Sequence, residues 1–263
     1  MPRNSNSFLS ADFPEVLRKI RERTPARILA GRAGAAYLTA TQLELREAHA
    51  TARDAVRAEL DTERDFGAEF LRKWDLLEIY TQARSKEEFL ARPDLGRCLN
   101  EASIRELQRR CKQNSDFQIA IGDGLSVTAV AAQVPALLPL LQEGAQVRGW
   151  SAGDPFVIRH CRVGILNEIG ELLAPKVAVL LIGERPGLAT AESLSAYMAY
   201  RSVKFHTDAN RNLISNIHSR GLRTQEAAAR ILNLAARMMA LQTSGFMIRE
   251  QLPSVLGNPM LPK

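Results

Sequence analysis

The chain has 263 residues, 46% apolar and 24% charged, an ordinary balance for a globular protein with a sizeable core in one large or two modest domains. Its formal net charge is +6, and 28 of its 35 basic residues are arginine, but 29 acidic residues are interspersed and only 6% of residues are aromatic. That pattern argues against nucleic acid as a partner, while arginine enrichment suits a protein–protein interface or simply reflects genomic base composition. No apolar run reaches the 18 or so residues of a membrane span, and the opening Met1-Pro2-Arg3-Asn4-Ser5-Asn6-Ser7 lacks the apolar core of a signal peptide. A cytoplasmic protein is therefore expected.

Residues 1–12 read as a disordered N-terminus. From Phe13 to Arg23, Val16, Leu17 and Ile20 recur at helical spacing behind Pro14, a common early-helix residue. Ala26 to Gly34 is a short apolar run closing on a glycine-flanked arginine, where Gly31 and Gly34 are equally well explained as turn chemistry. Thr41 to Leu60 predicts a helix, and Phe66 to Ala83 continues in helical or mixed fashion. Pro93-Asp94 makes a turn, because the residue before proline disfavours α geometry, and Leu99 to Cys111 is helical again. The reading for 13–112 is a mainly α-helical N-terminal region.

From residue 113 the character changes. Asp116 to Ile121 predicts a strand, followed by Gly122-Asp123-Gly124-Leu125-Ser126 and an apolar helix from Val127 to Leu141, bent or interrupted near Pro135 and Pro139. Pro155 to Val163 reads as a strand and Leu166 to Leu172 as a short helix. Val177 to Ile182 is six apolar residues, half of them β-branched, which suits a strand covered on both faces. Gly183 breaks that run, Pro186-Gly187 forces a turn, and Leu188 to Tyr200 predicts a helix. Asn212 to His218 is a short strand or an ordered loop; Thr224 to Gln242 is a closing helix with Ile231, Leu234, Ala235, Met238 and Met239 inward. Strands alternating with helices predict an α/β fold, with a Rossmann-like parallel sheet in 113–263.

A strand, a glycine turn and a helix place a loop at the carboxyl edge of an open α/β sheet, where such sheets bind ligands. Two loops do this, Gly122-Asp123-Gly124 and Gly183-Glu184-Arg185-Pro186-Gly187. Neither is a G-x-G-x-x-G or P-loop sequence, so nicotinamide and ATP are weakly supported. Asp123 and Glu184 would repel a phosphate and suit a ligand rich in amide or amine donors; helix capping or pairing with arginine explains them equally well. Ser126, Ser193 and Ser195 lack the G-x-S-x-G setting of a hydrolase nucleophile. Cys98, Cys111 and Cys161, with His49, His160, His206 and His218, show no metal-ligand spacing. On residues alone the chain is an α/β domain that binds something polar; a stand-alone nucleotide-binding module and a non-catalytic structural subunit stay open.

Arg92-Pro93-Asp94-Leu95-Gly96-Arg97, Gly122-Asp123-Gly124-Leu125-Ser126, Ile182-Gly183-Glu184-Arg185-Pro186-Gly187-Leu188, Glu192-Ser193-Leu194-Ser195 and Ile214-Ser215-Asn216-Ile217-His218 follow one another in this order. Together they resemble the small (light) subunit family of ethanolamine ammonia-lyase, over residues 25–245 or so. The resemblance implies an adenosylcobalamin-dependent lyase that converts ethanolamine to acetaldehyde and ammonia. It also implies a large TIM-barrel subunit carrying the substrate and the catalytic groups, in a higher hetero-oligomer, with 113–263 as the cobalamin-binding domain. No catalytic and no metal-ligating residue falls on this chain. The cobalamin contacts that the resemblance carries over are Val163, Glu184 and the position of Leu213, where other members have cysteine. A glutamate suits the amide rim of cobalamin as an acceptor of N–H groups. The family's cobalamin keeps its own base as lower ligand, so His160 and His218 need no role at cobalt. The cytoplasm, or a bacterial microcompartment within it, is the implied setting.

Overall fold

A computed structural model gives the fold and describes residues 13–23, 32–187, 190–248 and 250. The expected disorder of 1–12, most of the run Ala26 to Gly34, and Leu188 with Ala189 lie outside the described residues. In chain order come α1 (Phe13–Arg23), the two-residue strands β1 (Arg32–Ala33) and β2 (Ala36–Tyr37), α2 (Thr39–Arg57), α3 (Thr62–Phe66), α4 (Ala68–Trp74) and β3 (Leu77–Tyr80). Then follow α5 (Lys86–Ala91), α6 (Glu101–Arg110), β4 (Phe117–Gly122), α7 (Val127–Val147), β5 (Phe156–Arg159) and α8 (Ile165–Leu173). The chain continues with β6 (Val177–Gly183), β7 (Leu194–Tyr200), β8 (Asn212–Ile217) and α9 (Thr224–Leu241). Four helices start on side-chain caps: Asp61, Ser85, Asn100 and Ser126 accept the N–H groups of Arg64, Glu88, Ser103 and Ala129 at α3, α5, α6 and α7.

β1 and β2 form a small antiparallel pair, and the other strands build one sheet in the order β3-β5-β4-β6-β7-β8. The pairings β3–β5, β5–β4 and β4–β6 are parallel, whereas β6–β7 and β7–β8 are antiparallel. The fold is thus mixed α/β, and the wholly parallel, Rossmann-like expectation holds for four strands only. The helix expected over Leu188–Tyr200 is, from Leu194 onward, strand β7. The connection 184–193 is shorter than the dozen or so residues that a parallel crossover needs, so the chain can only turn straight back along β6. β7 alternates accordingly: Leu194, Ala196 and Met198 enter one core, while Tyr197 faces the other.

The two faces of the sheet explain why β6 is apolar throughout and β4 is apolar but for Gln118, which is buried and donates to the Ile119 and Asp154 carbonyls. Phe117, Ile119, Ile121, Val177, Val179 and Leu181 pack with α7 and α9, and Ala120, Ala178, Leu180 and Ile182 pack with α6 and α8. α7 runs through Pro135 and Pro139 without interruption. Both prolines are only half-buried, and the helix is held instead by Val130, Val134, Leu137, Leu138 and Leu141, all fully buried. The helical N-terminal region also lends β3 to the sheet edge, where Leu77 sits opposite Phe156. Among the described residues, no helix is long and apolar enough to cross a membrane.

Candidate functional site

α8 packs on its side of the sheet with β4 and β6, and beyond it, where Tyr197 of β7 and Leu213 of β8 line the surface, a cleft of about 450 Å³ opens. Val163, from the turn between β5 and α8, forms one wall. Glu184, immediately after β6, forms the rim, and Leu213, on β8 opposite Tyr197, forms the far side. The three residues come from separate loops and strands 50 positions apart, and the sheet brings them to one cavity. Leu213 is 47% exposed, Tyr197 and Val163 are half-buried, and Ile182 completes the apolar lining.

A β-bulge fixes the carboxylate of Glu184. Between the pairs Leu194↔Ile217 and Ala196↔Ile214, β8 spends one residue more than β7, and Asn216 takes up the kink at φ 63°. Its N–H turns toward Glu184 and donates to Oε1 at 3.1 Å, and the Ser195 hydroxyl donates to the same oxygen at 2.5 Å. Ser195 is buried, so its hydroxyl is committed. The other carboxylate oxygen, Oε2, has no hydrogen bond among the described residues, which leaves an oriented acceptor at the mouth of the cleft. The phenol of Tyr197 is pushed up by burial and by the nearby Glu184 and Asp208, so the ring stays a neutral hydroxyl.

Asp123, paired with Glu184 in the sequence reading as a possible ligand acceptor, is corrected by its burial. It is wholly enclosed, and its two oxygens accept the N–H groups of His160 at 2.8 Å and Cys161 at 2.9 Å. Burial raises its pKa, opposed by Lys86 and by these two donors. The buried Lys86 ammonium donates to the Gly124 carbonyl at 3.3 Å. The pair therefore ties the end of β5, and the Val163 turn beyond it, to the first glycine loop. The two glycine loops also meet directly: the Leu125 N–H donates to the Gly183 carbonyl at 3.1 Å.

Two residues of the site escaped sequence reasoning. In the sequence Ser195 stands as a nucleophile without its setting and as part of a motif, and Asn216 as part of a motif; neither position reveals a partner for Glu184. Two further cavities, of about 700 and 720 Å³, open nearby, and the former shares Arg162 and Val163 with the cleft.

The family model for the ethanolamine ammonia-lyase light chain (EutC) matches residues 14–249. A protein of Fusobacterium nucleatum called ethanolamine ammonia-lyase small subunit is 39% identical over 236 residues, covering 90% of this chain and 78% of its own. Proteins of the same name from Clostridium perfringens and Clostridium acetobutylicum are each 38% identical, over 88% and 89% of this chain and 76% and 95% of their own. With a family match across the described fold and relatives at this identity, the chain belongs to the ethanolamine ammonia-lyase light chain family.

Proposed function

We propose that the chain is the small subunit of an adenosylcobalamin-dependent ethanolamine ammonia-lyase, and that its part in 113–263 supplies one wall of a cobalamin site closed by a large TIM-barrel subunit. The observation that carries this reading is the convergence of Val163, Glu184 and Leu213 on one cleft with a free carboxylate oxygen at its rim. The donor set fits cobalamin, whose rim of amide side chains offers N–H groups to such an acceptor. The size fits a shared site as well. A cleft of about 450 Å³ suits a drug-sized ligand, so it can enclose only a portion of the much larger cobalamin.

When bound, adenosylcobalamin supplies the cobalt–carbon bond whose cleavage starts the radical deamination of ethanolamine. This chain binds and orients. Glu184 accepts amide N–H groups with its side chain already held by Ser195 and Asn216, so little conformational entropy is lost on binding. Val163, Tyr197 and Leu213 exclude water from the enclosed face, which protects reactive intermediates from side reactions. No side chain of the cleft is assigned a proton-transfer role; those groups belong to the partner.

The test is retention of cyanocobalamin through gel filtration. The complex of this chain with its large subunit is expected to keep the corrinoid, and the large subunit alone to lose it. Equal retention by the large subunit alone would remove this chain from the cofactor site.

A further inference from the structure

We infer that Arg97, Arg162 and Arg185 form an anion site that takes the phosphodiester of the cofactor's nucleotide tail. The inference rests on the cobalamin reading above and adds residues that reading leaves unused. The three arginines flank the ridge between the cleft and the neighbouring cavity of about 700 Å³: Arg162 lines both, Arg185 the first and Arg97 the second.

The arrangement is built by two glycines. The Arg162 stem crosses Gly96, where a Cβ would stand 2.7 Å from its Cγ, and the Arg97 stem crosses Gly164, where a Cβ would stand 2.9 Å from its Cγ. The Arg162 N–H donates to the Gly96 carbonyl at 2.8 Å and locks the two turns together. The Arg162 guanidinium is propped over the Phe89 ring, 4.2 Å from its centroid, and Nη2 donates to the Phe89 carbonyl at 3.2 Å. Its Nε is buried without a partner.

Arg162 is half-buried while Arg97 and Arg185 are exposed, so Arg162 is the member of the cluster whose charge gains most from a counterion. Among the described residues none of the three has a carboxylate partner. Of the acidic groups lining the two cavities, Glu168 accepts the Leu99 N–H, Glu171 the Lys204 N–H and Asp208 pairs with Arg211, while Glu184 accepts from Ser195 and Asn216 through Oε1 and keeps Oε2 for the cobalamin amides. Burial first, then the nearby Arg185 and Arg97, hold the Arg162 guanidinium below its ordinary value. An arginine fork matches the planar oxygen pair of a phosphodiester. The amide side chains of cobalamin are neutral, so the phosphodiester is the anionic group its nucleotide tail offers.

The experiment compares two corrinoids on the intact complex of both subunits: cyanocobalamin, and dicyanocobinamide, which lacks the phosphodiester, ribose and base. Arg162→Gln is expected to weaken cyanocobalamin binding tenfold or more and cobinamide binding less than twofold. Arg185 is exposed, so Arg185→Gln, with an expected threefold or greater loss for cyanocobalamin alone, keeps the test open if Arg162→Gln fails to assemble. Equal loss of both corrinoids, or cyanocobalamin binding unchanged in both variants, would overturn the assignment while leaving the cobalamin reading intact. A wild-type complex that binds neither corrinoid would overturn both.

Discussion

Glu184 sits half-buried at the rim of the cleft, so its replacement opens no cavity in the core, although it frees the Ser195 hydroxyl and the Asn216 N–H. Replacing it by alanine removes one charged acceptor, a change of about 1.5–3 kcal/mol, so Glu184→Ala is expected to weaken cobalamin binding to the complex by tenfold or more. Spectroscopic titration measures this; unchanged affinity in an assembled complex would point to a purely structural subunit. Leu213 offers its apolar surface to the cleft, so Leu213→Cys should bind cobalamin within about threefold of wild type, whereas Leu213→Asp should lose about tenfold or more by placing a charge on that wall. A strong loss in the cysteine variant would refute an apolar contact. Nothing in residue spacing joins Val163, Glu184 and Leu213; the glycine loop singles out Glu184, the family resemblance alone selects Val163 and Leu213, and the sheet order puts the three together. Asp123 illustrates the opposite case. Its glycine-flanked loop looks open in sequence, yet the carboxylate turns inward because two backbone N–H groups at the end of β5 need an acceptor.

At the scale of elements, the two glycine loops depend on each other. Gly124 has φ +60°, and a Cβ there would meet the Gly183 carbonyl at 2.4 Å, so Gly124→Ala combines backbone strain with a clash against main chain. A loss of at least about 2 kcal/mol is expected, lowering the melting temperature by roughly 4–8 °C. Gly149, at φ +70° with nothing near its missing Cβ, is the control, and Gly149→Ala should cost only about 1 kcal/mol. Equal effects would mean that contact between the loops is unimportant. Nearer the sheet's lower edge, Asp116 joins β4 to β6 by pairing with Lys176 at 2.7 Å and accepting the Ser151 N–H at 2.8 Å. The Lys176 ammonium, then the Ser151 N–H, hold its carboxyl below the ordinary 3.8. A lowered acid contributes stability above its unfolded pKa and loses it as pH falls through the folded one. Asp116→Asn should therefore cost about 1 kcal/mol near neutrality, with the gap closing below pH 3.8 in thermal unfolding. The longer helices α1, α2, α6, α7, α8 and α9 and the central strands were legible from periodicity, but the short helices α3 and α5 and the strands β7 and β3 were not. Leu194 to Tyr200 is rich in residues that favour helices, and only pairing between β6 and β8 makes it a strand. β3 is four residues long and draws its identity from its place beside β5.

For the whole molecule, the same geometry explains why this chain is read as a partner and not as a complete enzyme. Its cleft opens where Tyr197 of β7 and Leu213 of β8 line the surface, it holds an oriented acceptor and apolar walls, and it carries no group assigned to proton transfer. On the proposed reading, the chain contributes a surface that gains its function when the large subunit closes over it. The most direct test is ammonia release from ethanolamine in the presence of adenosylcobalamin, measured for this chain alone, the large subunit alone, and the two together. Release only by the mixture is the predicted result. Full release by the large subunit alone, unchanged when this chain is added, would contradict a cofactor site shared between the two.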